Sequence, residues 1–278
     1  SPGGVWLNYS TMVKEILSAC KNSSAGIIKM TNDGLLSTAR EGTALTWMNS
    51  YYDGKPVIER SGLVVEINAL WYNAICYALE MAKITGDTEF ISEWQHMAGK
   101  TGESFLKTFW NESHQYLADV VTNGIADWSV RPNMVIAASL EYSPLSSDQK
   151  KMIVSTAAKK LLTRVGLRTL SPDHIRYKGD ISGGPSQREA VIHQGAVWPW
   201  LMQFFIEAYL KIYKRSGVEY VKHLTEAFEE VMTEHCVGTL SEMYNGDPPH
   251  KAKGAVSQAW NVAAIVYSYN LVHNYKQR

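Results

Sequence analysis

The chain is poor in the patterns that mark many specialised chemistries. Its three cysteines, Cys20, Cys76 and Cys236, are odd in number and far apart, so they form no disulfide framework and match no zinc spacing. Cys76 lies in an apolar helical run and reads as a buried thiol. No apolar run approaches the roughly 20 residues that a helical bilayer crossing needs, so no membrane partner is expected. An excess of one charge is missing too: Lys plus Arg and Asp plus Glu each number 27. No global field therefore draws the chain to nucleic acid or to an anionic surface. The opening "SPGGVWLNYS" has neither a starting Met nor the charged-then-apolar pattern of a secretion signal. It reads as an internal piece of a longer chain, with a cytoplasmic setting favoured and the compartment left open. There is no glycine-rich phosphate loop after a strand, no G-x-S-x-G elbow and no H-E-x-x-H pair. Neither a cofactor nor a metal is expected, and no solenoid-type tandem repeat is visible.

What is present is an ordinary globular composition, 45% hydrophobic and 19% charged, well outside the disordered range. The length suits one large domain or two small ones; residues 1–278 are read here as one. The aromatic inventory is skewed, with 9 Trp and 15 Tyr against 6 Phe. Tyr and Trp join a flat apolar face to a polar edge, which suits partly wet ligands such as sugars as well as packing between large helices.

Helical periodicity dominates. Ile67, Leu70, Trp71, Ala74, Ile75, Ala78, Leu79 and Ala82 recur at three- and four-residue spacing. Gly86-Asp87 then stops one helix and starts the next, and Ser146 to Gln149, "SSDQ", is a capping box. About eight helices follow, over 9–22, 66–84, 88–108, 132–141, 147–162, 196–214, 216–236 and 255–275, with strands expected only as short segments inside loops. Short connections alternate with long ones at 23–65, 109–131, 163–195 and 237–254. Such alternation predicts antiparallel helical hairpins with the long loops gathered on one functional face. Loops beyond about 12–15 residues are usually functional. The expected fold is all-α, an α/α toroid.

The unusual residues collect in three of those loops and beside them. Residues 42–60, "GTALTWMNSYYDGKPVIER", hold Trp47, Asn49, Asp53 and Arg60, and lead to Glu66 and Asn68. Residues 163–200 carry Asp173, His174, His193, Gln194, Trp198 and Trp200, and residues 237–260 carry Glu242, Gln258 and Trp260. Each residue alone has a plain structural explanation. His174 and His193 could anchor loops, Arg60 and Arg131 could bind carbonyls at helix ends, Trp198 and Trp200 could be core, and Glu242 could be a solvated acid. Their joint order argues for a shared site.

In that order, "ALTWMNS", "VEINALWYNA", "RPN", "GLRTLSPDHIRYKG", "HQGAVWPW" and "GTLSEMYNGDPPHKAKGAVSQAWNVA" resemble the C-terminal α-1,6-glucosidase domain of glycogen debranching enzymes. That family is similar in fold to the glucoamylase-like (α/α)6 barrels. The resemblance runs from about residue 9 onward. It implies hydrolysis of α-1,6-linked glucose with inversion, on an α-glucan or oligosaccharide substrate. An inverting pair of carboxyl groups stands about 6.5–9.5 Å apart, one protonating the departing oxygen and the other activating water. The family's pattern makes Glu242 the general base and puts the general acid after Trp-Met, where this chain has Asn49. It also implies that Trp47 and Trp198 pack against the sugar, while Arg60, Glu66, Asn68, Arg131, Asp173, His193 and Gln194 bond hydroxyls or brace loops.

Two departures stand out. An amide cannot donate the proton, and general acid catalysis contributes about 10²–10⁴-fold; Asp53 could take over only if the loop bends it back. Binding without cleavage, by a catalytically impaired α-glucan-binding domain or truncated pseudoenzyme, is therefore the alternative reading. The second departure is length: about eight of the barrel's twelve helices are expected, the N-terminal ones being absent. Uncovered apolar helix faces would then favour self-association or a second chain that completes the barrel.

Overall fold

Each periodic run carries a helix in a computed structural model of the chain, which describes residues 2–23, 26–38, 40, 42–235 and 237–277. In chain order these are α1 (Pro2–Asn22), α2 (Val65–Thr85), α3 (Thr88–Phe109), α4 (Asn133–Ser139) and α5 (Ser147–Lys160), then α6 (Pro185–Glu189), α7 (Met202–Tyr213), α8 (Val218–Val231) and α9 (Ala259–Gln277). The local signals act as expected. Gly86 closes α2 in the left-handed conformation, and the Asp87 side chain accepts the Phe90 N–H to open α3. Ser146 and Gln149 exchange both bonds of the capping box. Helix α7 starts later than its periodicity suggests. Trp198, before a proline, is held extended, and a 3₁₀ turn over Pro199–Leu201 intervenes.

The long loops are not irregular. Residues 28–64 form β1 (Ile28–Met30), β2 (Leu36–Thr38), β3 (Tyr51–Tyr52), β4 (Lys55–Pro56) and β5 (Gly62–Val64). Residues 110–127 form β6 (Trp110–Asn111), β7 (Tyr116–Leu117), β8 (Val120–Thr122) and β9 (Ile125–Asp127). Further on come β10 (Leu162–Thr163), β11 (Gly166–Arg168), β12 (Val197–Trp198), β13 (Met243–Tyr244) and β14 (Ala252–Lys253). One antiparallel sheet runs β1-β2-β5-β8-β9 and a second runs β10-β11-β12-β13-β14. Each sheet ties two distant loops together, through Val64 opposite Val120 and Val197 opposite Tyr244.

The all-α toroid expectation is therefore corrected: the chain is about 52% helical with 13% strand in several antiparallel sheets. Strands of two or three residues are too short to display a period-two alternation, so they are expected only as short segments inside loops and their pairing into five-stranded sheets is not.

The helices form two layers. Helices α2, α4, α7 and α9 pack one on the next, and α1, α3, α5 and α8 lie against them. The larger core joins Phe105, Phe109, Leu201, Phe205, Phe228 and Ile265, each burial stabilising by about 1.5–3 kcal/mol. A second cluster holds Trp6, Trp71, Ile75, Phe90 and Trp94, with Phe90 and Trp94 stacked at 5.6 Å. Trp94 is fully buried, so Trp94→Ala costs about 3–5 kcal/mol. On α1, Val5, Tyr9, Met12 and Ile16 remain exposed along one stripe. Cys20 and Cys76 are half-buried free thiols; Cys236 lies outside the described residues.

Candidate active site

Where loops of the two sheets meet, Trp47, Asn49, Glu189, Ile192, His193, Trp198, Trp200, Glu242 and Trp260 line a pocket of about 570 Å³. Its size is that of a small-ligand site. Four of these nine residues are tryptophans. Trp47 meets Trp200 edge-on at 5.0 Å and His193 at 5.3 Å, while His193 stacks on Trp198. Trp260 is an exposed large aromatic on this rim. Flat apolar faces with polar edges match the faces of a pyranose ring, which presents C–H groups flanked by hydroxyls.

Glu242 is fixed by its backbone. Asn261, fully buried, donates to the carbonyls of Ser241 (2.7 Å) and Glu242 (2.8 Å), and its own Oδ1 accepts the Trp200 N–H at 3.1 Å. One carboxylate oxygen, Oε2, accepts the Ala255 N–H at 2.9 Å, and the residue lines the pocket. Gly254, at φ +71°, passes beneath it: a Cβ there would overlap Oε2.

Trp47 is held by a chain of buried polar groups. Its Nε1–H donates to Asn133 Oδ1 at 2.8 Å, and Asn133 Nδ2 donates to Asp119 Oδ1 at 2.7 Å. Asp119 also receives Arg60 Nε at 2.8 Å and faces Arg131 Nε at 3.9 Å. Arg60 in turn pairs with Glu66. Burial lowers the Arg60 pKa, but Asp119 and Glu66 outweigh it and hold the guanidinium above its usual range. For Arg131 burial wins, helped by the Arg60 charge, and its pKa falls to about 10. Arg131 Nη1 reaches the His193 carbonyl at 2.8 Å and Nη2 the Gln194 Oε1 at 3.0 Å.

His193 is 1% exposed, yet neither ring nitrogen has a hydrogen-bond partner among the described residues. Burial, then the charges of Arg131 and Arg60, push its pKa down to about 3, so the imidazole is neutral, with one donor and one acceptor to offer. The other buried unpartnered side-chain atoms among the described residues are Ser50 Oγ and Arg131 Nε. Ser50 follows Asn49, and Arg131 holds the His193 carbonyl. Buried polar atoms without partners call for a ligand or water.

Of the residues singled out in the sequence, Trp47, Asn49, His193, Trp198 and Glu242 line the pocket. Arg60, Glu66 and Arg131 stand behind it in the buried network. Asn68 spans Leu36 and Val64 through its side-chain amide, fixing β2 to α2. Asp173 is exposed and paired with Lys160, away from the pocket lining. Gln194 and Asp53 line a neighbouring cavity of about 930 Å³, together with Tyr52, Lys55, Arg176 and Lys178. Asp53 sits at the tip of the β3–β4 hairpin with φ 48° and so does not share a pocket with Glu242. Sequence reasoning passed over Asp119, Asn133, Asn261 and Glu189. Glu189 had a signal in "GGPSQRE", a glycine-then-proline helix start ending four residues before His193. Among the described residues no group of three or more His, Cys, Asp or Glu side chains could hold a metal.

Known proteins with similar folds place the chain in a class. The neutral trehalase Nth1 of Saccharomyces cerevisiae superposes with a TM-score of 0.52 at 17% identity, over 77% of this chain and 38% of that one. A GH63 mannosylglycerate hydrolase of Thermus thermophilus, in complex with Tris, superposes with 0.53 at 12% identity, over 75% of this chain and 45% of that one. At such identities the likeness is one of fold. Together with the family match, it makes this a protein of the glycoside hydrolase kind. The chain belongs to the amylo-alpha-1,6-glucosidase family, whose model matches residues 5–267. The glycogen debranching enzyme of Saccharomyces cerevisiae (strain ATCC 204508 / S288c) is 22% identical over 221 residues, covering 63% of this chain and 14% of that protein. The chain spans less than half the length of each of these three proteins.

Proposed function

We propose that the chain forms an α-glucan site of the amylo-α-1,6-glucosidase type, working by inversion with Glu242 as general base. The observation that carries this reading is the shared lining: Glu242 and the family's acid position, occupied by Asn49, border one tryptophan-walled pocket. Glu242 Oε1 takes a proton from a water, which attacks C1 of the terminal glucose on the face away from the departing oxygen. Trp47 and Trp198 pack against the ring, and His193, neutral and unpartnered among the described residues, bonds a hydroxyl. Arg60, Glu66, Arg131 and Gln194 brace the loops that carry them.

A second reading has a specific observation in its favour. Asn49 carries no exchangeable acid proton, so the site could hold an α-glucan without cleaving it. One measurement tests both readings and a second separates them. Titration calorimetry with maltooligosaccharides is expected to show binding under both; no binding sinks both. Hydrolysis of α-glucosyl fluoride, which needs little acid help, tests the base alone. The glycosidase reading expects turnover that Glu242→Gln lowers by about 10²-fold or more with maltooligosaccharide affinity kept; binding without fluoride turnover favours the second reading.

A further inference from the structure

An inverting site needs two carboxyl groups, and the family's acid position here is an amide. The carboxyls around the pocket differ sharply in how they are engaged. Glu66 and Asp119 are buried and committed to Arg60. Asp127 is taken by Ser129, and Asp173 by Lys160. Asp53 faces the neighbouring cavity. Among the described residues, two carboxyls line the pocket itself, Glu242 and Glu189.

Glu189 is the last residue of α6, and α6 packs against β3. Strand β3 begins at Tyr51, two positions after Asn49. Glu189 therefore belongs to a helix that lies beside the segment carrying Asn49, while Glu242 arrives on the loop between α8 and α9. Among the described residues no hydrogen bond or ion pair engages the Glu189 side chain, so its carboxyl group is uncommitted. Helix α6 is closed on itself by local bonds: Gly184 N–H donates to Gln187 Oε1 at 2.8 Å, and Arg188 Nε to the Gly183 carbonyl at 2.9 Å.

We propose that Glu189 supplies the proton that Asn49 cannot, acting as the general acid of this pocket. This rests on the reading of the pocket as an inverting glycosidase site. The Glu189 carboxylic acid gives its proton to the glycosidic oxygen as the C1–O bond breaks, the bonding pair leaving with that oxygen. Water adds to C1 and loses a proton to the Glu242 carboxylate. The products are glucose and the shortened glucan. Glu189 is left as carboxylate and Glu242 as acid, and proton exchange with solvent resets both.

The test compares the wild-type chain, Glu189→Gln and Glu242→Gln on two substrates: a maltooligosaccharide bearing an α-1,6-linked glucose, and α-glucosyl fluoride. Glu189 is exposed, so its amide variant is expected to fold, checked by thermal melting. The expected result is that Glu189→Gln lowers glucose release from the oligosaccharide by about 10²-fold or more while fluoride turnover stays within a few-fold. Glu242→Gln lowers both. Equal loss on both substrates in Glu189→Gln, no loss on either, or a wild-type chain that turns over the fluoride but not the oligosaccharide would each overturn the role of Glu189. The site reading fails separately, if Glu242→Gln spares fluoride turnover or the wild-type chain binds no maltooligosaccharide.

Discussion

Asn49 and Glu242, from loops near opposite ends of the chain, line one pocket of about 570 Å³. Each of the two five-stranded sheets stitches distant loops together, the Asn49 loop belonging to one and the Glu242 loop to the other. Glu242 is held on buried Asn261, and the Trp47 indole on the buried Asn133–Asp119 pair. The Glu242 carboxylate is additionally held by the exposed Ala255 N–H.

Gly254 is the first place to probe that geometry. Its φ of +71° and the overlap of a built Cβ with Glu242 Oε2 mean that Gly254→Ala strains the backbone and pushes the carboxylate. We expect turnover of α-glucosyl fluoride to fall at least about 10-fold, with maltooligosaccharide affinity by calorimetry near wild type. Unchanged turnover would contradict the placement of Glu242.

His193 makes stability depend on pH in a predictable direction. Its folded pKa of about 3 lies below the ordinary value near 6.5. Between these the unfolded chain binds a proton that the folded chain refuses, so this contribution is complete above about pH 6.5 and is lost as pH falls towards 3. Each unit of that fall costs about 1.4 kcal/mol. Urea midpoints measured from pH 6 to pH 4 should therefore drop more steeply for wild type than for His193→Gln. Parallel curves would show that the buried imidazole is not held neutral.

Asp119 compensates two buried guanidinium groups, Arg60 and Arg131. Removing its charge in Asp119→Asn leaves them under-compensated, a loss of about 3–5 kcal/mol. It also frees Asn133 and with it the Trp47 indole. Chemical denaturation should register the loss of stability, and Trp fluorescence should report a changed Trp47 environment. A midpoint within error of wild type would contradict the network.

Much of the helical framework was legible, because periodicity, the Gly86-Asp87 break and the Ser146 capping box are local signals that packing did not override. The pairing of the short loop strands into sheets was not, since pairs such as Val197 with Tyr244 depend on partners far along the chain and span two or three residues. At the site, chemistry-bearing residues such as Glu242, Trp47 and His193 stood out by type and order. Asp119, Asn133 and Asn261 did not, because a buried brace looks like any other polar residue until its partners are seen. Motif membership marks Asn68 and Asp173 alike as residues that bond hydroxyls or brace loops; Asn68 braces, fixing a strand to a helix, whereas Asp173 pairs with a surface lysine.

The stereochemistry of the first-formed product tests the central claim most directly. Proton NMR of the wild-type chain acting on α-glucosyl fluoride should show β-glucose appearing first and mutarotating later, because water held by Glu242 attacks the face opposite the leaving group. Initial release of α-glucose would contradict the assignment of Glu242 as the base of an inverting pocket.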